Sequence, residues 1–152
     1  MHLAHYLGLL HRAQSNLADA FRQVGEAHAD EPDVFHLCHQ QAGVCDRHAG
    51  LLEPFARRYS EEAPDEPERL HSELFSGTRT GGIGLLRDLQ DLYLMAAECD
   101  VCWTVVGQAA RGARDHGLQQ VVQQCEGETA IQLQWLRTRM KAAAPQALVV
   151  AE

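Results

Sequence analysis

Apolar side chains recur along this chain at helical intervals in four long stretches of about 25 to 30 residues each. In the first, His2 to His28, the residues Leu3, Leu7, Leu10, Leu17, Phe21 and Val24 form the seam of a packed helix, and Gln14 and His28 stand at its remaining positions. The second starts at Pro32, a residue suited to a first helical turn, and runs to about Tyr59. Its seam is Val34, Leu37, Cys38, Gln41, Val44, Cys45, His48, Leu52, Phe55 and Tyr59. The third, about Ile83 to Asp115, carries its best stripe on Leu85, Leu89, Leu92, Ala96, Cys99, Trp103, Val106 and Ala110. It is apolar over much of its circumference, which predicts a subunit contact beside the core contact. The fourth, Leu118 to about Ala143, repeats Leu118, Val122, Cys125, Thr129, Leu133, Leu136 and Met140. Gly117 is expected to cap the third helix, and Pro145 to stop the fourth.

The connections decide how these helices associate. The first and third links are short, so helices 1 and 2 are antiparallel neighbours, as are helices 3 and 4. The middle link, Ser60 to Gly82, is long and contains Pro64, Pro67, Gly77, Gly81 and Gly82. A short helix is expected within it, around Glu68 to Phe75. A helix of this length spans about 40 Å, and an extended chain at about 3.3 Å per residue crosses that distance easily. The pattern predicts an all-α four-helix bundle over residues 1–145, with a long crossover between helices 2 and 3. Residues 146–152 are expected to form a C-terminal tail.

Composition narrows the classes of function. The 152 residues carry a formal net charge of −8 and no basic stripe, which argues against a nucleic-acid partner and against adsorption to membranes. No stretch of about 18 apolar residues occurs, so no membrane span is expected. Met1 to Arg12 lacks an apolar run with a basic flank, and the expected location is cytoplasmic. The five cysteines are an odd number and lie mostly within helical patterns. That suits reduced thiols better than a disulfide framework.

Helix order and the crossover position resemble the ferritin-like superfamily over nearly the whole chain. The resemblance implies a mid-bundle di-iron or di-manganese site, with one Glu on each of two helices and a Glu-x-x-His pair on each of the other two. Most of those positions are not matched. Helix 1 offers Gln14 instead of Glu. Helix 2 offers Cys45-x-x-His48, with Cys in place of the family's Glu. Helix 3 offers Glu98, set about 120° from the apolar stripe. Helix 4 offers Glu128, with Ile131 where the His would stand. At most His48, Glu98 and Glu128 survive from the ligand set.

Polar and thiol side chains nonetheless gather near the helical midpoints: Gln14, Cys45, His48, Cys99, Cys102, Cys125, Glu128 and Gln132. Cys45 and His48 are one turn apart on one face. With Cys99 and Cys125 they match the donor types of a tetrahedral site, and a transition metal ion, zinc or iron, is the cofactor such a layer implies. The candidate metal residues are Cys45, His48, Glu98, Cys99, Cys125 and Glu128. The plainer reading is that the thiols pack as small hydrophobes and that His48 is neutral, hydrogen-bonded to Gln14, Gln41 or Glu128.

Other features carry less. His36-x-x-His39 points away from the seam and reads as surface, and His2-x-x-His5 is similar. Asp88 is expected to approach His28 if helices 2 and 3 run parallel. Cys99-x-x-Cys102 lies mid-helix, without the helix start that activates a redox thiol. The glycine-rich run Thr78 to Gly84 lacks the lysine of a phosphate loop and reads as a turn. The expected function is that of a degenerate ferritin-like bundle acting as a non-catalytic binding or structural module, forming a homodimer. The alternative is a metal-binding redox protein with a mid-bundle His/Cys/Glu site, and a third class is a thiol-based sensor.

Overall fold

A computed structural model describes residues 2–60 and 74–150. Four helices account for most of them: α1 (Leu3–Ala27), α2 (Pro32–Ser60), α3 (Gly81–Gly112) and α4 (His116–Pro145). One wider π-helical turn, Gln146–Val150, continues α4. Each helix forms where the seam pattern requires, and the seams face inward. Leu7, Leu10, Leu17, Phe21, Leu52, Leu89, Leu92, Trp103, Leu118 and Leu136 are fully buried in one core.

Contacts at the helix ends fix the directions. α1 and α2 are antiparallel: Gly25 closes on Cys38, and Glu26 bonds His39 at 2.9 Å. α2 and α4 are also antiparallel. Arg58, near the end of α2, pairs with Asp115 at the start of α4, while Arg139, near the end of α4, reaches Asp33 at 2.7 Å. The first turn of α1 lies against the last turns of α3. At the opposite end His28 meets Asp88 of α3 at 2.8 Å. α2 and α3 therefore run parallel, and the link between them has the full length of the bundle to cover.

Several local expectations change. The short helix anticipated at Glu68 to Phe75 lies mainly outside the described residues, and Leu74 to Thr80 are not helical. Gly117 does not cap α3. That helix ends at Gly112, and the left-handed residue is Arg114, at φ 55°. Asp115 then caps α4, its carboxylate accepting the Leu118 amide at 3.1 Å. A carboxylate acceptor at this position stabilises the helix start, and Gly117, two residues later, lies inside the first turn of α4. Pro145 is the last α-helical residue of α4 but does not stop the chain's helical path, which runs on as the π-helical turn, and the tail is not detached, because Ala147 is buried against Leu86 and Ala143. Among the described residues no helix is long and apolar enough to cross a membrane.

Two glycines mark close approaches. A Cβ on Gly107 would lie 3.0 Å from Val122 Cγ1, so its absence lets α4 close on α3. A Cβ on Gly84 would lie 2.9 Å from the Arg79 carbonyl carbon, so the end of the crossover folds flat onto the first turn of α3.

Candidate functional site

One fully buried polar side chain comes from each helix near the middle of the bundle: Gln14 from α1, His48 from α2, Trp103 from α3 and Gln132 from α4. The pairing of Gly25 with Cys38, counted an equal number of residues along both antiparallel helices, brings Gln14 level with Ala49, next to His48. His48 packs edge-on against Trp103, with ring centroids 5.7 Å apart. Gln132 Nε2 donates to Cys45 Sγ at 3.4 Å. Thr129 closes the layer by donating to the Cys125 carbonyl at 2.8 Å, a bond within its own helix.

The polar atoms of this layer are poorly matched by one another. Both amide atoms of Gln14, both ring nitrogens of His48, Nε1 of Trp103 and Oε1 of Gln132 are buried with no hydrogen-bond partner. Leaving such a group unpaired costs about 1–3 kcal/mol. The layer is uncharged in chemical type: two amides, an indole and an imidazole. Burial lowers the pKa of His48 from its ordinary 6.5, opposed by the nearby Glu128 carboxylate. A neutral imidazole follows, with one nitrogen donating and one accepting.

Glu128 sits at the rim, half-buried. Its Oε2 is 3.4 Å from His48 Nε2, beyond good hydrogen-bond geometry, and pairs with Arg47. Gln124 Nε2 donates to its other oxygen at 3.1 Å. Burial pushes this carboxyl up, but Gln124, Arg47 and His48 pull it further down, and its pKa lies below the ordinary carboxylate value. Glu128 therefore answers the problem of a buried charge by standing at the bundle edge with an arginine.

The six candidate metal residues do not converge. Glu98 lies toward α1, beside Leu9, Arg12 and Met95, away from the layer. Cys45, Cys99 and Cys125 are buried thiols; Cys99 feels Cys45 electrostatically, but neither is drawn toward ionisation. Burial pushes Cys45 and Cys125 up to about 12. Among the described residues no three His, Cys, Asp or Glu side chains gather closely enough to hold one metal ion. The donor set thus reduces to the pair His48 and Glu128, and Arg47 already engages that carboxylate. A metal centre does not fit these residues.

A second polar cluster ties the bundle end together. Asp88, fully buried, accepts from the Arg79 backbone N–H at 3.0 Å and from its guanidinium at 2.8 Å, in addition to its contact with His28. The same Arg79 nitrogen donates to Asp91 at 2.8 Å. The approach of Asp88 to His28 was legible from the helix directions. Arg79 was not, since the glycine-rich run around it reads as a turn; an arginine nine and twelve residues before two aspartates was the available signal. Arg47 was missed in the same way, as the surface partner of Glu128. His36 is exposed, in line with its place off the seam, whereas His39 is half-buried and bonded to Glu26.

Compared with known proteins, the chain matches no protein-family model, no curated protein and no solved structure.

Proposed function

We propose that the protein is a non-catalytic binding module, a degenerate member of the ferritin-like superfamily whose bundle interior, packed shut in this state, opens to hold a compact, uncharged, hydrogen-bonding molecule in place of metal ions. One observation carries this reading: Gln14, His48, Trp103 and Gln132, one from each helix, are fully buried and present nitrogen and oxygen atoms that no protein group satisfies. Trp103 supplies a donor, Gln132 an acceptor, and Gln14 and His48 supply both. That mixture suits a molecule with carbonyl or hydroxyl and N–H groups together, and it disfavours an ion of either sign. The cytoplasm is the compartment this reading assigns, since all five thiols are buried and unpaired with one another.

The test is to denature untagged protein after purification and identify released small molecules by mass spectrometry. Elemental analysis is run on the same material, with a Gln14→Leu, His48→Leu double variant alongside. A stoichiometric neutral compound, absent from the double variant, supports the binding module. Stoichiometric metal lost in that variant would instead favour the alternative redox protein working through His48 and Glu128.

A further inference from the structure

The seam between α2 and α4 differs from the two close-packed pairs of helices. Within α1–α2 and α3–α4 the helices close tightly: a Cβ on Gly25 would lie 3.1 Å from Cys38, and one on Gly107 would lie 3.0 Å from Val122. Across α2–α4 the contacts include three ion pairs, one at each end and one at the middle. The end pairs are reinforced. Asp115 accepts from Tyr59 at 2.8 Å and from the Leu118 amide as well as from Arg58. Arg139 reaches Glu31 at 3.3 Å besides Asp33. The middle pair, Arg47–Glu128, is backed by the exposed Gln124. Exposure falls steeply behind it: the Arg47 side chain is 51% exposed, Glu128 24% and His48 0%. His48 Nε2 is 3.4 Å from the Glu128 carboxylate, and Gln132 follows Glu128 by one turn of α4. This pair therefore stands between solvent and the layer of unpartnered atoms.

We propose that the Arg47–Glu128 ion pair is the gate of that layer: when it parts, α2 and α4 separate in front of His48 and Gln132, and the neutral molecule enters or leaves there. The inference rests on the binding reading above and names the route that reading needs. An exposed ion pair holds weakly, because water replaces each partner at little cost. Exposed side chains such as Arg47 also change rotamer within nanoseconds. Along α2 the pair stands about 21 Å from Asp33 and about 17 Å from Arg58, at 1.5 Å per residue. The middle of the seam can thus open locally while both reinforced ends stay tied. A lock made of core leucines would have to expose apolar surface to do the same.

The test reads the opening through thiols that lie behind it. Cys45 is bonded to Gln132, and Cys125 feels both Arg47 and Glu128, whereas Cys38 packs toward α1 beside Gly25. Burial pushes all three up to about 12, so differences among their labelling rates report access. The full chain, freed of small molecules and refolded, is treated with iodoacetamide over hours, and the modified cysteines are located by peptide mass spectrometry. Circular dichroism checks folding. Arg47→Met and Glu128→Gln each break the pair with little change of shape. Each is expected to label Cys45 and Cys125 roughly fivefold faster than the native chain, with Cys38 unchanged. Arg47 favours the Cys125 thiolate, so faster labelling there after its loss would not come from ionisation. Arg58→Met breaks an end pair instead and is expected to leave the rate at Cys45 at its native value. Three results would overturn the proposal: native rates at Cys45 and Cys125 in both gate variants, equal acceleration at Cys38, or the same acceleration in Arg58→Met. The labelling needs no ligand. Unchanged rates would therefore sink the gate and leave the binding reading standing, whereas the lack of a released compound would sink the binding reading with the opening still measured.

Discussion

Replacing Gln14 by leucine should make the ligand-free protein more stable. Gln14 is fully buried, and neither its Oε1 nor its Nε2 has a hydrogen-bond partner. Leucine has similar bulk and asks for none. It stands in a seam otherwise occupied by Leu7, Leu10 and Leu17, so the site can accept it. Relieving one unpaired amide is worth about 1–3 kcal/mol, and the expected gain is about 2 kcal/mol. For a domain of this size that raises Tm by roughly 4–8 °C. The assay is urea unfolding of protein that has been unfolded, dialysed free of small molecules and refolded, so that bound ligand does not stabilise the native reference. The slope with denaturant should not change, because the surface exposed on unfolding is nearly the same. A loss of more than about 1 kcal/mol would refute the reasoning, since it would mean that the amide is satisfied within the empty fold. The same variant should lose the co-purifying molecule, so stability and binding move in opposite directions. That opposition separates a binding layer from a merely structural one.

Three further outcomes follow from the same geometry. Burial holds His48 below its ordinary pKa, so the unfolded chain takes up that proton first as pH falls. The native state is therefore favoured above about pH 6.5 and loses stability below it; His48→Gln should flatten this part of the pH profile, and parallel profiles for the two proteins would sink the argument. The thiols of Cys38, Cys45 and Cys125 are pushed up to about 12 by burial, and Cys102 to about 11. An aromatic disulfide reagent at pH 8 should thus leave the folded protein unlabelled over minutes and titrate all five cysteines once it is unfolded. Rapid labelling of two in the native state would revive the thiol sensor. Gly84→Ala would press a methyl against the Arg79 backbone. It should cost about 1–3 kcal/mol in thermal or chemical unfolding, and a neutral effect would show that the crossover is not held as tightly as Asp88 and Arg79 imply.

The sequence by itself determined the number of helices, their seams and their directions. Leu7, Leu17, Phe21, Leu89, Trp103 and Leu136 are buried because helical periodicity is a local property and the core must take the apolar side. It also put Asp88 within approach of His28 on the condition that helices 2 and 3 run parallel, and the structure shows the contact. Gln14, Cys45, His48 and Gln132 were legible as a mid-bundle group from the same periodicity. What periodicity could not decide is which way a side chain near the edge of a stripe turns. Glu128 stands close to that edge; only packing, and the reach of Arg47 from α2, turned it outward and denied the layer its carboxylate. Glu98 is a different case: its place about 120° off the apolar stripe was legible in the periodicity, and the structure puts it beside α1. The link from α3 to α4 also escaped, because Asp115 and Gly117 are both plausible helix punctuation, and the choice rested on Arg58 and Tyr59 arriving from α2 to hold Asp115. Helix positions follow from local spacing, whereas partners between helices depend on the rotation of each about its axis, which only the packed core sets.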